Sequence, residues 1–172
     1  NINDLNGTEL PVYDIVYNQK KSFVKISSKS NKYIFKCFDV ALQLAKDGKI
    51  DGFINCPVSK EFLFKNNHQG VTEYLSNKSG KKGNEVMLIY NKKLSVSPIT
   101  THIPLSEITK KINKFTIVKK VKIINNFYKK IFNKKPNFAI LGLNPHNDFS
   151  TSKKEEKIIN KAIKSLNKLK IK

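Results

Sequence analysis

The stretch that most constrains the fold is Asn137-Phe138-Ala139-Ile140-Leu141-Gly142-Leu143, an almost wholly apolar run set between two segments of helical period. A run this short and this apolar reads as a central parallel strand with both faces covered, and Pro145 ends it. Before it, Ile108, Ile112, Val118, Val121, Ile124, Phe127 and Ile131 form one apolar stripe with lysines opposite. That helical region begins at Ser106 and is expected to break near Phe115 and Thr116. After it, Ser152-Lys153-Lys154-Glu155 is a capping box for a last helix carrying Ile158, Ile159, Ala162, Ile163, Leu166 and Leu169. Helices alternating with buried strands define an α/β chain. The basic amphipathic faces then read as the water side of helices covering a sheet, not as membrane-surface helices.

The rest of the chain follows the same grammar. Residues 1–30 are poorly patterned, apart from Phe23-Val24-Lys25-Ile26-Ser27, which alternates like a short strand. Over residues 31–46, Ile34, Phe35, Phe38, Ala41, Leu42 and Ala45 recur at helical spacing, and Gly48 is placed to stop the helix. Gly52-Phe53-Ile54-Asn55 reads as a strand closed by Pro57. Ser59 can cap a short helix through about Lys65, and Thr72 with Glu73 can open another helical turn. Residues 85–90 and 94–100 are strand-like runs joined by Asn91-Lys92-Lys93, a hairpin pattern. No repeat, linker or internal boundary interrupts this order, so residues 1–172 are read as a single partial α/β domain.

Composition excludes several function classes. All 33 basic residues are lysine, and the net charge is +20. A basic surface of this size suits polyanions, but base reading and bidentate phosphate gripping favour the arginine fork. The lysines are spread along the chain without interleaved stacking aromatics, so no nucleic-acid partner is expected. With Trp absent and Asn and Ile over-used, the lysines read as the habit of an A/T-rich genome. No run of about 18 apolar residues and no signal peptide is evident, so no membrane span and a cytoplasmic location are expected. Cys37 and Cys56 stand apart and read as reduced thiols.

Two histidines share one setting, each just past a strand-like run and each beside a proline: Thr100-Thr101-His102-Ile103-Pro104-Leu105 and Gly142-Leu143-Asn144-Pro145-His146. Loops at the carboxyl ends of strands line the ligand crevice of an α/β sheet, so both imidazoles can converge on one point. Neutral imidazole suits Zn²⁺ and Co²⁺. A shared ion requires the two rings to come within roughly 5 Å, given metal–nitrogen bonds of about 2.0–2.1 Å. His68 lies in a third loop. Lys60, after Pro57-Val58-Ser59, can meet a phosphate or carboxylate, although a solvated lysine is the default.

Together with Ile54-Asn55-Cys56-Pro57-Val58-Ser59-Lys60 and Gly70-Val71-Thr72-Glu73-Tyr74-Leu75, these words occur in one order. That order resembles the 4-hydroxythreonine-4-phosphate dehydrogenase family of vitamin B6 biosynthesis, over the chain from about Asn31 to its end. The resemblance implies a three-layer α/β/α fold like that of isocitrate and isopropylmalate dehydrogenases, here truncated at both ends. It implies a metal held by His102 and His146, with Zn, Co or Mg as the divalent ion. It implies a phosphorylated hydroxy acid held by Thr72, and Val71 occupies the position of a family histidine. NAD or NADP is the implied hydride acceptor, without residues assigned to it, and the intact protein is implied to be a homodimer. The missing Gly-x-Gly-x-x-Gly word is neutral, because this family binds the dinucleotide with other loops.

The implied reaction oxidises 4-phosphooxy-L-threonine and releases its carboxylate as carbon dioxide. Threonate or erythronate 4-phosphate is the alternative substrate. Several departures accompany the resemblance. The family's third metal histidine, in a His-Asp-Gln-Gly word, is absent, as is its N-terminal Pro-Gly-Glu-Pro-x-Gly word. Asn147-Asp148-Phe149-Ser150 replaces a glycine-rich segment, and Val71 cannot donate a hydrogen bond. A catalytically silent basic domain that binds phosphorylated ligands or polyanions is the second expectation.

Overall fold

The computed structural model describes residues 7–8, 10–65, 70–142 and 152–172. The chain forms two compact units, Asn1–Glu85 and Val86–Lys172.

In the first unit a 3₁₀ turn, Ser28–Ser30, leads into α1, Asn31–Lys46. The helix ends where the sequence places Gly48. Gly48 N–H donates to Ala45 O at 3.2 Å, Lys49 N–H donates to Leu44 O at 2.9 Å, and Gly48 takes φ +67°. These two bonds form a Schellman cap, which needs a left-handed residue and therefore favours glycine. The short α2, Lys60–Phe64, and α3, Val71–Lys78, follow. The end of α3 repeats the device at Gly80, with Gly80 N–H on Asn77 O at 3.1 Å and Lys81 N–H on Ser76 O at 2.9 Å.

Phe38, Leu63 and Phe64 are the buried centre of this unit, and Ile34, Phe35, Phe53, Val58, Val71, Tyr74 and Leu75 pack around them. Tyr74 ties the layers together, its ring 5.0 Å from Phe35, 5.8 Å from Phe38 and 6.0 Å from Phe64. Asn31 Nδ2 donates to Phe62 O at 2.6 Å, and Lys78 pairs with Asp39 at 3.2 Å.

The second unit holds α4, Leu105–Lys111, α5, Lys114–Phe132, and α6, Ser152–Lys168. The break expected near Phe115 and Thr116 falls earlier, at Ile112 and Asn113. Asn113 is extended at φ −146°, and its side chain accepts the Thr116 N–H at 2.9 Å, an N-cap bond that starts a new helix there. Ile117 and Val121 of α5 and Ala162 and Leu166 of α6 form the buried core with Ile171. Ile99, Phe138 and Ile140 pack against it.

The strand expectations need correction. Among the described residues no multi-residue strand ladder forms. The hairpin survives as one antiparallel bridge, Ile89 to Val96, with bonds of 2.8 and 2.9 Å. Residues 23–27 are not a strand: Phe23 takes φ +56° and is wholly exposed, outside the region a strand occupies. Residues 52–55 show no ladder bond, and Ile54 is exposed. Over residues 137–142 side chains do alternate, with Phe138 and Ile140 on the core of the helices and Leu141 86% exposed. Period-two geometry sends neighbours to opposite faces. Here only one face is covered among the described residues, not the two that an apolar run suggests. Among the described residues the backbone bond made by this run is Phe138 N–H to Lys172 O at 2.9 Å, against the backbone just after α6.

Candidate functional site

His102 sits in the five-residue link between Ile99, anchored on the second unit's core, and Leu105, where α4 begins. Such a short link has to reverse the chain quickly. His102 does so with φ +55°, in the left-handed region. Histidine enters that region more readily than most side chains, whereas a β-branched residue would be an outlier. Pro104 then takes ψ +146° as the N-cap of α4, and Glu107 N–H donates to Pro104 O at 2.9 Å. The imidazole of His102 is exposed and has no hydrogen-bond partner among the described residues. Glu107, one turn on, is held by Lys110 at 2.9 Å.

The second predicted ligand, His146, lies outside the described residues, as does His68. The approach of His102 to His146 therefore has no distance here. The run leading towards that word is anchored through Phe138 and Ile140. Among the described residues no three His, Cys, Asp or Glu side chains group closely enough to hold a metal ion.

The first unit carries the other predicted residues. Val71 and Thr72 open α3, with Gly70 as N-cap. Glu73 folds back so that its Oε2 accepts the Gly70 N–H at 2.8 Å, the carboxylate half of a capping box. Val71 is half-buried and packs on the Phe38, Leu63 and Phe64 cluster, while Thr72 is exposed on the helix's first turn. A cleft in this unit is lined by Tyr17, Lys20, Lys25, Lys29 and Val58, and it includes none of the predicted site residues.

Two features escaped the sequence reading. The left-handed backbone of His102 was signalled only by the shortness of the link between Thr100 and the helix start. The Glu73 cap was signalled by the Gly-x-x-Glu spacing, which was read from Thr72 instead of from Gly70. Cys37 lies on α1 and Cys56 is exposed beside Pro57, both as free thiols.

Comparison with known proteins gives these loops their context. The family profile described as "Pyridoxal phosphate biosynthetic protein PdxA" matches residues 2–172. A 4-hydroxythreonine-4-phosphate dehydrogenase from a Sulfurihydrogenibium species is 34% identical over 170 residues, covering 96% of this chain and 52% of that protein. One from Aquifex aeolicus is 33% identical, covering 83% of this chain and 42% of that protein. The solved 4-hydroxythreonine-4-phosphate dehydrogenase of Klebsiella pneumoniae superposes with a TM-score of 0.74 at 23% identity, over 86% of this chain and 46% of that one. The chain thus spans about half the length of the relatives it matches, and it shares the α/β fold of the solved example. Matched along nearly its whole length by this profile, the chain belongs to the pyridoxal phosphate biosynthetic PdxA family.

Proposed function

We propose that this chain contributes to a metal-dependent, NAD(P)-linked dehydrogenase acting on 4-phosphooxy-L-threonine. The secondary alcohol is oxidised to a ketone as hydride passes to NAD(P) and a proton is released, and the neighbouring carboxylate then leaves as carbon dioxide while the carbon it leaves takes up a proton. The observation that carries this reading is the family match over residues 2–172, which takes in all four sequence words in order. The finer architecture proposed is the three-layer α/β/α arrangement of the isocitrate and isopropylmalate dehydrogenases, in a homodimer.

His102 suits a metal ligand on chemical grounds, being an exposed imidazole without a hydrogen-bond partner among the described residues. His146 is the second proposed ligand. A divalent ion bound by them supplies Lewis acidity towards the substrate's hydroxyl and the ketone derived from it. Thr72 is proposed to donate its hydroxyl to the phosphorylated substrate, with Val71 beside it offering only methyl groups. No residue of this chain is assigned to the dinucleotide.

The test measures NAD(P) reduction with 4-phosphooxy-L-threonine and added Zn²⁺ or Co²⁺, with threonate 4-phosphate and erythronate 4-phosphate as competing substrates. The 172 residues by themselves are expected to bind substrate without turnover. A chain extended to the relatives' full length is expected to turn over 4-phosphooxy-L-threonine fastest. Preference for a sugar-acid phosphate would reassign the substrate, and absence of turnover by the extended chain would remove the dehydrogenase reading.

A further inference from the structure

Lys60, at the first position of α2, ends beside the N-cap of α3. Its Nζ lies 3.8 Å from the position that a Cβ on Gly70 would occupy, two residues before Thr72. The other group at that point is the Glu73 carboxylate, whose Oε2 lies 2.7 Å from the same position and is held by the Gly70 N–H. Lys60 is exposed and has neither a hydrogen bond nor an ion pair among the described residues. Its ammonium is therefore unpaired among the described residues, beside a glycine whose Cβ position is filled by the Glu73 carboxylate.

Around that glycine the available chemistry is a lysine point charge, the exposed Thr72 hydroxyl and a carboxylate already engaged by the backbone. Val71, turned onto the Phe38 cluster, adds no donor. A neutral or cationic ligand has no need of an unspent ammonium. A phosphoryl dianion does, because it has to be brought near Glu73 and requires a compensating positive charge.

We infer that Lys60 is a substrate-binding residue whose ammonium contacts the phosphoryl group of the phosphorylated hydroxy acid beside Thr72. This rests on the proposed substrate role of Thr72. In most of this lysine-rich chain an unpaired lysine is a solvated surface charge. Lys60 is brought up to the backbone that leads directly into the proposed substrate residue, Thr72.

Calorimetry on the full chain separates the two claims, with 4-phosphooxy-L-threonine and unphosphorylated 4-hydroxy-L-threonine as probes. Lys60→Gln is expected to weaken the phosphorylated probe about ten- to hundredfold, the usual worth of one charge-assisted hydrogen bond, and to leave the unphosphorylated probe and the melting temperature unchanged. Lys60→Arg should restore most of the affinity, and Lys49→Gln, an exposed lysine elsewhere in the unit, should change nothing. Equal losses on both probes, or an equal loss in Lys49→Gln, would overturn the contact. A weakened Thr72→Ala with an unaffected Lys60→Gln would overturn Lys60 alone. No preference of the parent chain for the phosphorylated probe would remove the substrate reading and this inference with it.

Discussion

His102 carries a conformational cost alongside its proposed role. At φ +55° an L-residue pays roughly 1–2 kcal/mol, with histidine at the milder end. Strain of this kind is tolerated where a side chain is wanted at a particular place. His102→Gly is therefore expected to stabilise the second unit by about 1 kcal/mol in urea unfolding, because glycine enters this region freely. His102→Ala should give no such gain. If His102→Gly is destabilising, the imidazole is held by packing and its metal role loses its support. The identity of this histidine was legible from the Thr-Thr-His-x-Pro-Leu word, but its backbone was not. A left-handed residue leaves no mark on hydropathy and follows only from how few positions remain between Thr101 and the helix. Val71 shows the opposite case. The sequence shows the missing donor plainly, whereas its burial against Phe38 required the fold.

The helices were legible because their signals are local. Gly48 ends α1 through a Schellman cap as expected, Gly80 does the same for α3 without having been singled out, and Ser59 stands at the N-cap of α2 but its side chain makes no cap bond. The end of α6 uses the same cap without glycine. Lys170 N–H donates to Asn167 O at 2.9 Å, Ile171 N–H donates to Leu166 O at 3.1 Å, and Lys170 sits at φ +55°. Ile171 and Leu166 are both in the buried core, the apolar contact that accompanies this cap. Lys170→Gly should thus raise the stability of the second unit by about 1 kcal/mol, read as a higher urea midpoint at unchanged slope. A lower midpoint would mean that the lysine makes a compensating contact. The strands were less legible, because a ladder depends on a partner backbone. The apolar run at residues 137–142 predicts a buried segment well, but not which of its faces is covered.

The first unit also has a pH dependence. Tyr74 is pushed above the ordinary tyrosine range, first by burial and then by Asp39. Lys78 is raised first by its hydrogen bond to Asp39, and Tyr33 first by its hydrogen bond to Cys37. All three titrate higher in the folded chain than in the unfolded one. Their contributions are therefore complete below the unfolded values, 10.0 for tyrosine and 10.5 for lysine, and are lost as pH rises through the folded values. Unfolding followed from pH 8 to 11.5 should show stability falling only above about pH 10, with a smaller fall in Tyr74→Phe. A flat profile, or an undiminished fall in Tyr74→Phe, would contradict the shift at Tyr74.

At the scale of the whole molecule, the α/β class and the family could be read before any coordinates, because four words in fixed order restrict the fold more than any single element does. The net charge is +20, and two of the lysines, Lys78 and Lys110, form surface ion pairs with Asp39 and Glu107, a solvated and weakly stabilising use. Among the described residues no helix is long and apolar enough to cross a membrane. The proposed activity therefore turns on His102 and His146. The most direct measurement is equilibrium dialysis of Co²⁺ and Zn²⁺ against the parent chain, His102→Ala and His146→Ala. The parent is expected to take up one ion per chain or fewer, weakly, and each substitution to lower the uptake. Uptake by the parent that neither substitution alters would contradict a metal site at these histidines.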